Sequence, residues 1–172
     1  MKLIYKPPSP DIREIEIYKW DGAPEDDGLK EIFWENKENH SNIGDEGEFS
    51  RSVSTKIIAV DRERGLVVGM LHFDHTSSEA IIYVAPSYQR QGISRALYTY
   101  ALEHIKGYVF TAVVGETNQP SIDLHNSMNF ESTHDGGDIE FEVALSPDEE
   151  ASWFENPTTE TMTVVRKNIL TK

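Results

Sequence analysis

The chain has no cysteine among its 172 residues. That removes disulfides, thiolate metal sites and a cysteine nucleophile, and it suits a reducing, cytoplasmic setting. No apolar run approaches the roughly 20 residues that a membrane-spanning helix needs. The opening MKLIYKPPSP has no signal-peptide apolar core, so no membrane association is expected. Basic residues are scarce: 16 Lys and Arg face 30 Asp and Glu, a net charge of −14. Such a balance repels phosphate backbones and makes nucleic acid a poor partner. Gly-x-Gly-x-x-Gly and a lysine-ended Walker loop are both missing, which sets aside the common nucleotide cradles. Internal repeats and low-complexity tracts are absent too.

What is present fits one globular domain over residues 1–172, with 38% hydrophobic and 10% aromatic residues. The acids are clustered. Residues 21–50 hold ten of them against Lys30 and Lys37, and residues 131–150 hold eight with no Lys or Arg. Residues 86–106 run the other way, with Arg90, Arg95 and Lys106 against Glu103. A local basic island in an acidic chain fits an anion site, and it equally fits ordinary scatter on a solvated surface.

The element order is legible from periodicity. Lys2–Tyr5 reads as a short strand, and the segment carrying Ile12, Ile15 and Ile17 as helix or strand. Leu29, Ile32 and Phe33 have helical spacing within Leu29–Asn39. Strands follow at Lys56–Asp61, Leu66–His75 and Ala80–Ala85, the first two flanking the turn Arg62–Gly65. From Gly92 to about Lys106, Ile93, Ala96, Leu97, Tyr100, Ala101 and Ile105 form one helical stripe. Tyr108–Val114 reads as a strand buried on both faces. Pro120 opens a helix over Ser121–Met128, and late strands are expected near Ile139–Leu145 and Thr161–Lys167. This order predicts an α/β (α+β) fold, a mixed central sheet of about six to seven strands with helices on both faces.

Between the third strand and the long helix lies QRQGIS, residues 89–94. A helix N-terminus offers unpaired N–H groups and partial positive charge to an anion. Gly92 leaves the backbone bare, and Arg90 and Arg95 add charge. A plain strand-to-helix connection would also carry a glycine, so the turn alone leaves both readings open.

A second cluster, NQPSIDLHNSMNF at 118–130, adds to the first. Together with VAPSYQRQGIS it resembles the paired motifs of the GNAT superfamily of acyl-CoA N-acyltransferases. One motif is a strand ending in Val-x-Pro followed by Gln/Arg-x-x-Gly-x-Gly/Ala, matched by Val84, Pro86, Gln89, Gly92 and Ser94, with Leu97 on the helix. The other runs Asn-x-x-Ser/Ala-x-x-Leu, an aromatic, three residues and Gly-Phe. It is matched by Asn118, Ser121, Leu124, His125, Asn129 and Phe130. The resemblance is good over about residues 55–130. Glu79, five residues before Val84, and His125 in place of tyrosine look most like the phosphinothricin-type N-acetyltransferases. Ser94 stands where the motif has a second Gly/Ala. Asn129 stands for a Gly that often has positive φ, and Asn is the next residue suited to that conformation.

The resemblance implies a GNAT fold and acetyl transfer from acetyl-CoA to an amine in a ternary complex, with no metal. It implies that Gln89, Arg90, Gln91, Gly92 and Ser94 hold the pyrophosphate, that Tyr83 and Val84 pair with the pantetheine arm, and that Asn118 contacts the cofactor. Asn118 is alternatively a helix N-cap. Glu79 is the candidate base for the amine, with a raised pKa if partly buried. His125 is the candidate proton donor to the departing thiolate, or else a helix histidine satisfied by a carbonyl.

His72, Asp74 and His75 invite a metal reading, but on a strand His75 points away from the other two. Trp20, Trp34 and Trp153 either line an acceptor pocket or pack in the core. The two acid-rich regions border the acceptor side in this fold, which favours a cationic amine or basic peptide end. A homodimer is left open. The alternatives are an acyl-CoA-binding regulatory module without catalysis and an acetyltransferase toxin acting on charged tRNA, the latter disfavoured by the charge.

Overall fold

The structure, a computed structural model, describes residues 2–21, 28, 54–135 and 138–144. The chain divides into two compact units. One comprises Met1–His75 with Ile81–Ala101, and the other Thr76–Ala80 with Leu102–Lys172.

The first unit carries a five-stranded sheet in the order β1-β2-β3-β4-β5, from Leu3–Tyr5, Ile15–Lys19, Ser54–Asp61, Leu66–Asp74 and Ala80–Val84. β1 to β4 are antiparallel neighbours, with Ile17 opposite Ala59 and Ile57 opposite Leu71. The ambiguous isoleucine segment is a strand. Ile15 and Ile17 are fully buried while Glu16 and Tyr18 lie on the opposite face, a period of two that a helix could not sustain.

β3 and β4 explain their continuous apolar runs by being covered on both faces. Ile57, Ala59, Leu71 and Phe73 fill one side. On the other, Ile58, Met70 and Tyr83 pack with Tyr18, Trp20, Val60, Val67 and Ile81. Burying each large side chain contributes about 1.5–3 kcal/mol, so this slab fixes where the end of β5 lies. A bulge in β4 follows from Ala59 facing Gly69 while Val60 faces Val67. The extra residue, Val68, turns its carbonyl to the Ala85 N–H at 2.9 Å. Beside it, a Cβ on Gly69 would come within 3.2 Å of the Ile93 side chain and of the Tyr83 carbonyl. Glycine there lets the helix and β5 close on β4.

That helix, α1 (Ile93–His104), buries every member of the predicted stripe that it contains. In the second unit β6 (Val109–Gly115), β7 (Glu131–Asp135) and β8 (Asp138–Ala144) form an antiparallel sheet in the order β6-β8-β7. A parallel bridge joins Glu79 to Thr111 of β6. The expectation that Tyr108–Val114 is buried on both faces is corrected: Phe110, Ala112 and Val114 are buried, but Val109 and Val113 are 39% and 42% exposed. An apolar run reports β propensity and not what covers its second face. β7, ESTHD, has no apolar alternation and is a strand the sequence did not announce. Its last pair with β8 is Asp135 opposite Asp138. The expected helix at Leu29–Asn39 and strand at Thr161–Lys167 lie outside the described residues.

α2 (Gln119–Ser127) ends in a Schellman motif. Phe130 N–H reaches the His125 carbonyl and Asn129 N–H the Asn126 carbonyl, both at 3.1 Å. Asn129 has φ +58°, the conformation expected where the motif it resembles has glycine. Asn129→Gly should leave the melting temperature unchanged or slightly raised, whereas Asn129→Val should cost about 1–2 kcal/mol of stability, the penalty for a branched side chain in that region. Thermal melts of the two variants check this.

Candidate active site

The turn after β5 is constructed in three steps. Pro86 starts a single 3-10 turn over Pro86–Tyr88, and the chain then runs through Gln89–Gly92 into α1. Arg90 has φ +59° and Gly92 φ +78°. Left-handed residues so spaced turn backbone N–H groups toward a common side, a concavity suited to anions. Gly92 is the residue before the first helical turn, since its carbonyl accepts the Ala96 N–H at 3.1 Å. The N–H groups of Ile93, Ser94 and Arg95 therefore have no acceptor within the helix. The side chains of Arg90 and Arg95 are exposed, and Ser94 is half-buried.

Three side-chain contacts hold this turn. Gln89 Nε2 donates to the Val84 carbonyl at 3.2 Å, closing the turn onto the strand it left. Tyr88, 5% exposed, donates its hydroxyl to Asp61 Oδ2 at 2.8 Å and accepts from Arg64 Nη1 at 2.9 Å. Asp61 Oδ1 in turn takes the N–H groups of Glu63 and Arg64, both at 3.0 Å. Burial first, and the Asp61 carboxylate next, push the Tyr88 phenol above its ordinary pKa, so it stays a donor. From β1, Tyr5 donates its hydroxyl to the Gln91 carbonyl at 2.6 Å. The space a Gly92 side chain would occupy is filled by that hydroxyl. This revises the expected role of Gly92: the residue is required by its positive φ and by Tyr5, not by open room on its Cβ side. Tyr5, Asp61, Arg64 and Tyr88 carry no sequence motif, except that Asp61 opens the charged turn DRERG.

Glu79 enters β5 from the second unit and is half-buried. Its backbone is pinned on both sides. Its N–H reaches Ser77 Oγ at 3.3 Å, and the Thr111 N–H takes the carbonyl of Ser78 at 2.9 Å. Ser78 sits at φ +62°, an uncommon conformation for a non-glycine residue and one that recurs where a side chain is being aimed. Tyr83 and Val84 close β5 with both side chains buried.

Asn118 is the N-cap of α2, its Oδ1 accepting the Ser121 N–H at 3.3 Å. His125 is 3% exposed. Its Nδ1 lies 2.7 Å from the Ser121 carbonyl, and a carbonyl only accepts, so Nδ1 carries the proton. Its ring meets Phe130 edge-on at 5.0 Å. Burial lowers its pKa to about 4, with the Ser121 bond opposing that shift. A neutral imidazole with its proton on Nδ1 has an accepting Nε2, so the proton-donor role expected of His125 does not follow from this placement.

The metal reading also meets its geometry. His75 Nε2 lies 2.8 Å from Thr55 Oγ1, and His72 faces Lys56 across the strands. Among the described residues no three His, Cys, Asp or Glu converge as ligands. Trp20 packs against the Ile58–Met70–Tyr83 cluster, with Lys56 Nζ 5.5 Å from its ring centre. Trp34 and Trp153 lie outside the described residues.

The architecture is that of an α/β acyltransferase. It is similar to a GNAT superfamily phosphinothricin acetyltransferase of Sinorhizobium meliloti solved with acetyl-CoA, at 21% identity and TM-score 0.56 over 73% of this chain and 86% of that one. A Salmonella typhimurium protein solved with its cofactor acetyl-CoA gives 21% identity and 0.56 over 74% and 91%. The ribosomal-protein-S18-alanine N-acetyltransferase of Escherichia coli gives 19% and 0.56 over 78% and 97%. More narrowly, the model of the acetyltransferase (GNAT) family matches residues 15–130, and the chain belongs to that family. The reading of an acetyl-CoA-dependent acetyltransferase, made on the two motifs, stands with that membership. Among the described residues no helix is long and apolar enough to cross a membrane.

Proposed function

We propose that the protein transfers an acetyl group from acetyl-CoA directly to a primary amine, within a ternary complex and in the cytoplasm. The observation that carries this reading is the turn Gln89–Ser94, with positive φ at Arg90 and Gly92 leading into the first turn of α1. Its residues fit the group: the amides and Arg90 would hold the pyrophosphate, and the backbone of Tyr83 and Val84 would pair with the pantetheine arm like an added strand. Asn118, while capping α2, would contact the cofactor with its amide. The bound acetyl-CoA supplies an activated thioester carbonyl. Glu79 takes the proton that the amine must lose to become a nucleophile, directly or through one water. His125 shapes the last turn of α2 instead of giving up a proton.

Both units are proposed to make one acyltransferase domain, since the chain passes from one to the other within β5 and again within α1, and a single family model spans them. The acceptor is proposed to be cationic, a polyamine, an aminoglycoside-like amine or a basic peptide end. The support is the ten acids at 21–50 and eight at 131–150, which lie mostly outside the described residues. A thiol-release screen with acetyl-CoA over cationic, neutral and acidic amines tests this, and turnover that prefers acidic or neutral amino acids removes the cationic acceptor.

A further inference from the structure

We infer that Tyr5 is a positioning residue that locks the peptide between Gln91 and Gly92 with its N–H turned toward the pyrophosphate; this rests on the reading of Gln89–Ser94 as the cofactor cradle.

A trans peptide is planar, so its C=O and the following N–H point in opposite directions. Tyr5 holds the Gln91 carbonyl on its own hydroxyl at 2.6 Å. The Gly92 N–H of the same plane therefore points away from Tyr5, to the side opposite the β1 tyrosine. Glycine at 92, with φ +78°, makes that plane easy to rotate, because no Cβ resists the alternative. Rotated by half a turn, the plane would present a carbonyl oxygen where an anion expects a donor. A cradle built on a permissive glycine needs something outside the turn to choose the orientation. The neighbouring residues do not supply it: Gln89 ties the turn to Val84, and Tyr88 ties the preceding 3-10 turn to Asp61. Tyr5, half-buried and 86 residues away in sequence, reaches this peptide from outside the turn.

The contact also explains why the Cβ side of Gly92 is closed. The tyrosine hydroxyl lies where a side chain at 92 would go, so glycine and Tyr5 form one device. The glycine permits the left-handed turn, and the phenol fixes which way its peptide faces.

The test removes one oxygen. Tyr5→Phe keeps the ring and loses the lock. Calorimetric titration of the full chain with acetyl-CoA should show about tenfold weaker binding, the loss of one oriented hydrogen bond of about 1.4 kcal/mol. Titration with S-acetylpantetheine, which has the arm but no pyrophosphate, should be unchanged. A general loosening of the fold would weaken both ligands together. Arg90→Glu serves as the reference, since it sets a negative charge in the turn without touching Tyr5. If Arg90→Glu weakens acetyl-CoA selectively while Tyr5→Phe leaves it intact, or weakens both ligands alike, the lock is overturned. If Arg90→Glu also treats the two ligands alike, the turn is not the cradle, and the reading beneath the lock fails with it.

Discussion

Glu79→Gln is expected to lower kcat/KM for the amine by about a hundredfold to ten-thousandfold, the usual worth of a positioned general base, while acetyl-CoA binding stays within a factor of two. The substitution is nearly isosteric and keeps the backbone contacts that place the residue, the Ser77 hydroxyl on its N–H and the Ser78 carbonyl on Thr111. What it removes is the ability to accept a proton. The amine arrives protonated at neutral pH and cannot attack until that proton has left. With glutamine at 79 the enzyme should recover rate as pH rises and more of the free amine is present in solution, so the deficit should narrow between pH 7 and pH 9. Steady-state kinetics over that range check both the size of the loss and its pH dependence. A variant with unchanged kcat/KM at pH 7 would remove Glu79 from the chemistry and leave it as a strand-entry residue. A protein that only binds acyl-CoA has no turnover for the substitution to reduce, so the same assay separates the enzyme from a regulatory module.

How much of this was legible before the structure depends on whether the feature is local. The positive φ of Asn129 and the burial of the Ile93–Ile105 stripe follow from residues within a turn or two of each other, and the sequence carried both. The GNAT motifs are local in the same sense, which is why QRQGIS and NQPSIDLHNSMNF could be read as a pair. Tyr5 is the opposite case. Its partner is 86 residues away, and no spacing rule links a tyrosine in a three-residue edge strand to a carbonyl at a helix start. The Asp61–Tyr88 bond likewise spans 27 residues. β6 failed for a related reason: a run of apolar residues fixes the strand, but exposure of Val109 and Val113 depends on what packs over them. His125 was legible as a motif position and not as a protonation state, because burial and a carbonyl partner decide the latter.

That protonation state gives a second large expectation. In the unfolded chain a histidine titrates near its ordinary value of about 6.5, whereas in the fold burial holds His125 to about 4. Between those values the unfolded chain takes up a proton that the folded chain refuses. The histidine's contribution to stability is therefore fully present above pH 6.5. It falls as pH drops below that and is exhausted near pH 4. At 1.36 kcal/mol per pKa unit the loss is on the order of 3 kcal/mol, or a fall in melting temperature of about 6–12 °C for a chain of this length. The chain carries 30 Asp and Glu residues besides, so the useful quantity is the difference from a variant lacking the imidazole. His125→Phe suits this. Its ring can meet Phe130 as the imidazole does, and the Ser121 carbonyl still accepts the residue-125 N–H as part of α2. Melting temperatures of wild type and His125→Phe, measured from pH 7.5 to pH 4, should converge as the pH falls, the wild type losing more. Parallel curves would show that His125 titrates normally and is open to solvent, which would restore it as a candidate donor to the leaving thiolate. Converging curves leave the histidine neutral throughout the working range, with its proton held on a helix carbonyl. An acid limb in kcat/KM would then not belong to His125, and the two experiments together assign the proton's path.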